Sequence, residues 1–197
     1  NLEMLRRVAE ALRQLDIAVV YVGGATIGLH LDPYAASQAR VTVDVDCVVP
    51  ITTLSGYQAL EAQLRKLGFR NCRDEDAPIC RWNLDDLIID IMPVDENVLG
   101  FANRFSRLGF DKATRLELAP DLEIRTLTLR YLFASKIEAY TTRGAHEPYS
   151  SKDLEDLVVL LDGARDLVSN IASERDEVLT HASEWAAQFL TDPRCRD

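Results

Sequence analysis

Apolar residues recur at helical spacing in some segments of the chain and form short β-branched runs in others. Residues 2–15 carry leucine, valine and alanine at intervals of three and four, which is typical of an amphipathic helix. The run 17–22 is apolar and β-branched and predicts a buried strand that ends at Gly23 and Gly24. The same criteria predict strands over 41–49, 69–73, 79–83, 87–92 and 113–118, a loop over 32–39, and helices over 25–30 and 54–67.

The pattern becomes helical from about residue 126 onwards. Leu129 and Phe133 lie four positions apart and share one face of a predicted helix. Ser151 is followed by acidic residues and predicts the start of the next helix, because serine is a favoured N-cap and the first turn favours negative charge. One or two further helices are predicted over 164–190.

These elements predict an α+β fold, in which a small mixed β-sheet core with flanking helices over 1–125 precedes an α-helical bundle over 126–197. No apolar run approaches the roughly 18 residues that span a bilayer, so we expect no membrane association. The four cysteines are scattered and form no CxxC pair, which favours reduced thiols in a cytoplasmic protein.

The net charge of −10 narrows the classes of partner. A protein that binds nucleic acid regardless of its base sequence needs a basic surface, and a chain with this net negative charge does not supply one. Dedicated DNA binding is therefore not expected, although a local patch could still hold a nucleic-acid substrate. An excess of carboxylates is what a divalent-cation site requires.

Asp44 and Asp46 are the first candidate site residues. Two positions apart in a strand, they point to the same face with Cα atoms about 6.6–7 Å apart. The flanking Val43, Val45 and Cys47 are then expected to face the buried side. Two carboxylates so aligned repel each other unless a cation lies between them, and Mg²⁺ prefers such oxygens. The alternative is that they are solvent-facing residues of an amphipathic edge strand.

Asp90 is a single charge within the apolar run 87–92. A buried charge is costly unless a partner compensates it, and a metal ion shared with Asp44 and Asp46 would do so. The alternative is an alternating strand whose polar face carries Asp86 and Asp90.

Gly23 and Gly24, between a strand and a helix, form a candidate phosphate site, because glycines let the backbone approach a phosphate closely. A tight turn without a ligand is the simpler explanation of the same residues. Thr26, which follows the glycines, and Arg40, which precedes the second strand, are further candidates for contact with a nucleotide. Arg40 is otherwise an ordinary surface arginine.

Together these segments resemble the polymerase-β-like nucleotidyltransferase superfamily. The resemblance implies that the glycines lie against a triphosphate and that the first two aspartates hold two Mg²⁺ ions, with Mn²⁺ as a substitute. It also implies that the third aspartate helps to hold the catalytic ion and activates the attacking hydroxyl. The matching segments are Val20-Tyr21-Val22-Gly23-Gly24, Val43-Asp44-Val45-Asp46-Cys47 and Ile89-Asp90-Ile91.

The helical half is similar to the abortive-infection toxin branch of that superfamily. Lys136 in a helix, Arg143 near its end and the sequence Lys-Asp-x-x-Asp-Leu at the next helix start carry this resemblance. It implies that Lys136 contacts the triphosphate and that Asp153 positions the lysine or the acceptor. Alternatively, Lys136 is a solvated helix residue and Asp153 a first-turn acid. Arg143 and Asp156 are expected to be ordinary helix residues.

The resulting hypothesis is transfer of a nucleoside monophosphate from an NTP to a hydroxyl group, with release of pyrophosphate. A toxin-like enzyme would act on an RNA end or a protein and would have a cognate antitoxin as a partner. A small-molecule enzyme that modifies antibiotics is an alternative, since an acidic surface attracts polycationic drugs. A non-catalytic nucleotide-binding module and a plain α/β interaction protein are the remaining alternatives.

Overall fold

The apolar and β-branched runs join one seven-stranded mixed sheet in the computed structural model, which describes residues 1–195. The strands are β1 (Val20–Val22), β2 (Asp44–Val49), β3 (Arg70–Asn71), β4 (Arg81–Leu84), β5 (Leu87–Pro93), β6 (Thr114–Ala119) and β7 (Leu122–Thr126). Their order across the sheet is β3-β4-β5-β2-β1-β7-β6. β5 runs parallel to β2 and β7 parallel to β1, whereas the other neighbouring strands are antiparallel.

Nine α-helices occupy the described part of the chain. They are α1 (Leu2–Leu12), α2 (Pro33–Ala36), α3 (Leu54–Lys66), α4 (Glu96–Leu99), α5 (Arg104–Phe110), α6 (Leu129–Ala139), α7 (Lys152–Gly163), α8 (Leu167–Ile171) and α9 (Glu177–Thr191). The short helix predicted after Gly24 is a 3₁₀ helix, Gly24–His30, and the short α2 lies within the predicted loop. The Ser151 hydroxyl accepts a hydrogen bond from the amide of Leu154, which confirms the predicted cap of α7.

Two apolar layers cover the two faces of the sheet. On one face, Val45 and Ile89 pack with the apolar sides of α1 and α3. On the other face, Val20 and Val48 pack with α6, in which residues 129–137 are all buried. The helix α6 therefore lies at the centre of the helical half and fixes how that half meets the sheet.

The sheet confirms the predicted α+β fold class. It also contains β7, which the sequence analysis did not predict. β7 ends at Thr126 and helices follow, but the division into domains over 1–125 and 126–197 stays a prediction. Residues 196 and 197 of the second proposed domain lie outside the described residues.

No helix within residues 1–195 combines the length and the apolar character needed to cross a bilayer. The thiols of Cys47, Cys72 and Cys80 are not joined in disulfides. The side chain of Cys195 lies outside the part that the structure describes.

Candidate active site

The three predicted aspartates line one cleft of about 440 Å³ between the sheet and the helical half. Asp44 and Asp46 lie on β2, and the parallel register of β2 and β5 pairs Asp46 with Asp90. Because side chains two apart share a face, and paired positions on neighbouring strands share it too, all three carboxylates face the cleft.

One expectation about the flanking residues is wrong. Val45 and Cys47 are fully buried as predicted, but the side chain of Val43 is 65% exposed and lines the cleft. The reason is that β2 begins only at Asp44, so the alternation of buried and exposed positions does not extend back to Val43.

Gly23 is required by the close approach of β1 to Asp46. Its φ angle is +73°, in the region that favours glycine, and a Cβ at this position would overlap the Asp46 Oδ2 atom. The hydroxyl of the fully buried Thr26 donates to the Gly23 carbonyl over 2.9 Å. Thr26 therefore holds the turn and does not face the cleft as a direct ligand would.

The Asp46 carboxyl shows that this side of the cleft carries uncompensated negative charge. Burial raises its pKa to about 7, and repulsion from Asp44 and, less strongly, Asp90 adds to the increase, whereas Lys136 opposes it. A divalent cation bound beside Asp46 would offset its repulsion from the neighbouring carboxylates. The donor chemistry of Asp44 and Asp46 therefore suits Mg²⁺ or Mn²⁺.

The negative charge of Asp90 is compensated by an arginine, whereas the expectation from the sequence is a metal ion. Arg81 on β4 donates from Nε to Asp90 Oδ1 over 2.8 Å and from Nη2 to Asp90 Oδ2 over 2.7 Å. The same Nη2 atom donates to Asp44 Oδ2 over 3.2 Å. With Asp90 turned toward Arg81, no three Asp, Glu, His or Cys side chains within residues 1–195 are placed to bind one metal ion.

Lys136 and its partners form the opposite side of the cleft. Its Nζ atom lies 3.0 Å from Asp153 Oδ1 and 2.6 Å from Asp156 Oδ2. All three side chains are buried, with 5% exposure for Lys136, 5% for Asp153 and 1% for Asp156. The expectation that Asp156 is an ordinary helix residue is therefore wrong, as is the alternative of a solvated Lys136.

Two arginines complete this cluster from different parts of the chain. Arg40 donates to both carboxylate oxygens of Asp156 over 2.8 and 3.1 Å. Arg143, in a π-helical turn after α6, donates to both oxygens of Asp153 over 2.8 and 3.1 Å. Although burial opposes the change, Arg143 and Lys136 lower the pKa of Asp153. Arg143 is therefore part of the cluster, contrary to expectation, although its side chain is 71% exposed.

Gly24 makes room for this arrangement. A Cβ on Gly24 would lie 2.5 Å from Nη2 of Arg40, so a larger residue would push the guanidinium away from Asp156. Thr42, buried beside the cleft, donates its hydroxyl to the Asp44 carbonyl over 2.7 Å and steadies the start of β2.

A larger cleft of about 950 Å³ lies at the edge of the sheet around Arg65, Arg70 and Arg73. It is lined mainly by exposed side chains, and it contains no group of buried carboxylates. Buried charges that converge on a small volume are the better mark of a chemical site, so the smaller cleft is the candidate.

Three solved structures resemble the whole chain. A solution structure of the antibiotic-resistance factor ANT(2'')-Ia has a TM-score of 0.55 and 13% identity, and the match covers 96% of this chain and 92% of that one. A crystal structure of ANT(2'')-Ia in complex with adenylyl-2''-tobramycin has a TM-score of 0.54 and 12% identity, covering 95% of this chain and 98% of that one. An antigenic nucleotidyltransferase-like protein from Paracoccidioides brasiliensis has a TM-score of 0.58 and 17% identity, covering 95% and 87%.

At the level of sequence, no protein-family model and no characterised protein matches the chain. The structural similarity extends over nearly the full length of both partners, so it concerns the sheet and the helical half together. None of these three structures is described as an abortive-infection toxin, and that closer resemblance stays a prediction. The chain has the nucleotidyltransferase fold.

Proposed function

We propose that the protein is a cytoplasmic, divalent-metal-dependent nucleotidyltransferase. The observation that carries the proposal is the register of β2 and β5, which brings Asp44, Asp46 and Asp90 onto one cleft with Gly23 against Asp46. The nucleotidyltransferase fold supports it. In the proposed reaction, the acceptor hydroxyl oxygen bonds to the α-phosphorus of an NTP, its proton is lost, and pyrophosphate leaves.

Asp44 and Asp46 would hold Mg²⁺ or Mn²⁺ as direct ligands, and Asp90 would join them. Bound divalent ions, two according to the superfamily resemblance, would neutralise charge on the phosphates and hold the reacting oxygens in line. Asp90 would also accept the proton of the acceptor hydroxyl. The burial of Asp46 and its repulsion from Asp44 support this assignment.

The opposite side of the cleft is suited to the triphosphate. The whole chain has a net charge of −10, but three cations converge on the cleft, Arg40 from the loop before β2 and Lys136 and Arg143 from α6 and the turn that follows it. We assign them to the phosphates, with the Gly23-Gly24 turn against the same group and Asp153 as the residue that positions Lys136. Cations in a partly desolvated cleft attract a polyanion far more strongly than they would in water.

For the acceptor we propose a hydroxyl on an RNA end or a protein, as in a toxin-like enzyme with a cognate antitoxin. A small-molecule acceptor is the second candidate, because one structural neighbour is a complex of ANT(2'')-Ia with adenylyl-2''-tobramycin. The exposed Val41 and Val43 at the mouth of the cleft would contact the acceptor in either case.

Label transfer separates these acceptors. The protein is incubated with Mg²⁺ and each α-³²P-labelled NTP in turn, with total RNA, with cell protein, or with an aminoglycoside and lincosamide panel. We expect label on one class of acceptor and none with Asp44→Asn. If wild type and Asp44→Asn transfer label equally poorly to every acceptor, the enzymatic proposal fails. Calorimetric binding of Mg²⁺-ATP without transfer would then indicate a non-catalytic nucleotide-binding module.

A further inference from the structure

Arg81 lies where the third carboxylate would meet a metal ion. β4 and β5 form a hairpin in which Arg81 is directly opposite Asp90. Its guanidinium engages both oxygens of Asp90, at 2.8 and 2.7 Å, and its Nη2 atom also reaches Asp44 Oδ2 at 3.2 Å. One nitrogen thus bridges the first and third carboxylates of the cleft.

A divalent ion and this guanidinium cannot use the same oxygens. Mg²⁺ needs direct carboxylate oxygens at about 2.0–2.1 Å, whereas both Asp90 oxygens here accept charge-assisted hydrogen bonds from Arg81. Two cations at one carboxylate also repel each other in a partly desolvated cleft. For Asp90 to reach an ion held by Asp44 and Asp46, the bidentate pair must open.

We propose that Arg81 is an internal counter-cation that competes with the divalent ion for Asp90 and Asp44 and turns away from Asp90 when the ion binds. The inference rests on the proposed function, since it presumes a metal at Asp44 and Asp46. Arg81 is a positioning residue in this account: it holds the Asp90 carboxylate in place until the ion arrives, and it weakens ion binding in the absence of substrate. Its side chain is 26% exposed and lines the cleft, so it has room to move.

The affinity for Mn²⁺, measured by electron paramagnetic resonance without nucleotide, tests the competition. Arg81→Gln is expected to bind Mn²⁺ at least about tenfold more tightly than wild type, the scale on which neighbours of metal ligands change affinity. Arg70→Gln is the matched control, because Arg70 is an exposed arginine on the adjacent β3 and lines a different cleft. Its affinity for Mn²⁺ should stay within about twofold of wild type, since Arg70 is exposed at another cleft and solvent and salt screen its charge.

If Arg81→Gln binds Mn²⁺ no more tightly than wild type, the proposed competition is wrong. Loss of Mn²⁺ binding in Asp44→Asn would show in the same experiment that the metal site itself exists. Failure of wild type and Arg81→Gln to bind Mn²⁺, with or without a non-hydrolysable NTP, overturns the metal site of the proposed function together with this inference. The two failures are therefore distinguishable.

A measurement on the unmodified protein avoids dependence on a variant that folds poorly. The Nε–H signal of Arg81 in ¹H–¹⁵N spectra, assigned by its absence in Arg81→Lys, should be protected from exchange without metal, because Nε donates to Asp90. Saturating Mg²⁺ with a non-hydrolysable NTP should shift the signal and remove the protection. An Arg81 Nε–H signal that keeps its position and protection when Mg²⁺ is bound would show that the pair stays closed, and the inference is then wrong.

Discussion

The two sides of the cleft differ in how their charges are balanced. The strand side consists of Asp44, Asp46 and Asp90 with one guanidinium from Arg81, which is three negative charges against one positive and a formal charge of −2. The helix side has two carboxylates and three cations, a formal charge of +1, contributed by Asp153, Asp156, Lys136, Arg143 and Arg40.

This difference in charge indicates which ligands each side of the cleft is suited to bind. The strand side keeps unbalanced negative charge, which adds to the effect of burial in raising the pKa of Asp46, so this side is suited to added cations. The helix side is a nearly closed set of ion pairs with one positive charge in excess, so it is stable without a ligand and still attracts an anion. The first side is expected to govern activity and the second to govern stability.

The largest expected effect is on the strand side. Asp44→Asn removes a proposed metal ligand and should lower the rate of nucleotidyl transfer by at least about 10³-fold, the scale on which a lost electrostatic stabiliser of the reaction acts. The midpoint of thermal unfolding should not fall, because the substitution also relieves repulsion between carboxylates. Rates and unfolding curves measured on the same preparations check this, and a large loss of stability would contradict the assignment.

On the helix side of the cleft, we expect the main effect of a substitution to be on stability. Asp156→Ala leaves Lys136 and Arg40 without a shared counter-charge in a buried position, and should lower the free energy of unfolding by about 3 kcal/mol. Urea unfolding measures the change. The matched control is Asp86→Ala, which breaks the exposed pair between Arg7 and Asp86 and should change stability little. Equal effects of the two substitutions would show that the buried cluster is not structural.

The turn between the two sides is the next most sensitive point. Gly23→Ala forces a left-handed backbone angle on alanine and also overlaps Asp46, so it should cost roughly 2 kcal/mol or more of stability and most of the activity. Gly100→Ala is the control, because Gly100 has a φ of +84° but open space around its Cβ position. It should lose only about 1 kcal/mol and no activity. A Gly23→Ala protein that is as active as Gly100→Ala would remove the proposed role of the turn.

The smallest expected effect concerns pH in metal-free protein. Asp46 has a pKa of about 7 in the folded protein against 3.8 as its ordinary value, so the folded state retains a proton that the unfolded state loses between about pH 4 and 7. The free energy of unfolding therefore falls as the pH rises through this window and is constant above it.

Asp46→Asn removes this dependence, so the difference between wild type and variant, measured by urea unfolding with EDTA, isolates it. The comparison is needed because burial lowers the pKa of His30 to about 4, and that group gives stability an opposite slope at acid pH. A difference between wild type and Asp46→Asn that does not change with pH would show that the pKa of Asp46 is the same in the folded and unfolded protein.

Much of the fold was predictable because local periodicity determines elements when one face is buried. The helices over 54–67 and from Ser151, and the strands around Asp46 and Asp90, follow directly from the spacing of apolar residues. The strand β7 was not predicted, although Leu122 and Ile124 alternate with polar residues, because it is short and borders a helical segment. Its position beside β1 depends on a parallel pairing that periodicity does not specify.

The candidate site divides in the same way. The three aspartates and the glycine turn could be identified as site candidates from the sequence alone. The reason is that a charge within an apolar strand and the spacing of Asp44 and Asp46 are local signals. The one further local signal was the two-residue turn at Asp85 and Asp86, whose hairpin register places Arg81 opposite Asp90.

The remaining partners were decided only by the tertiary structure. Arg40 and Asp156 are separated by 116 positions, and only the family resemblance linked Lys136 in α6 with Asp153 in α7. No period or motif in the chain shows whether such charges are buried, because burial depends on how α6 and α7 pack against the sheet. The sequence by itself therefore determined which carboxylates form the site. The packing of the helices against the sheet decided which lysine and arginine side chains pair with them.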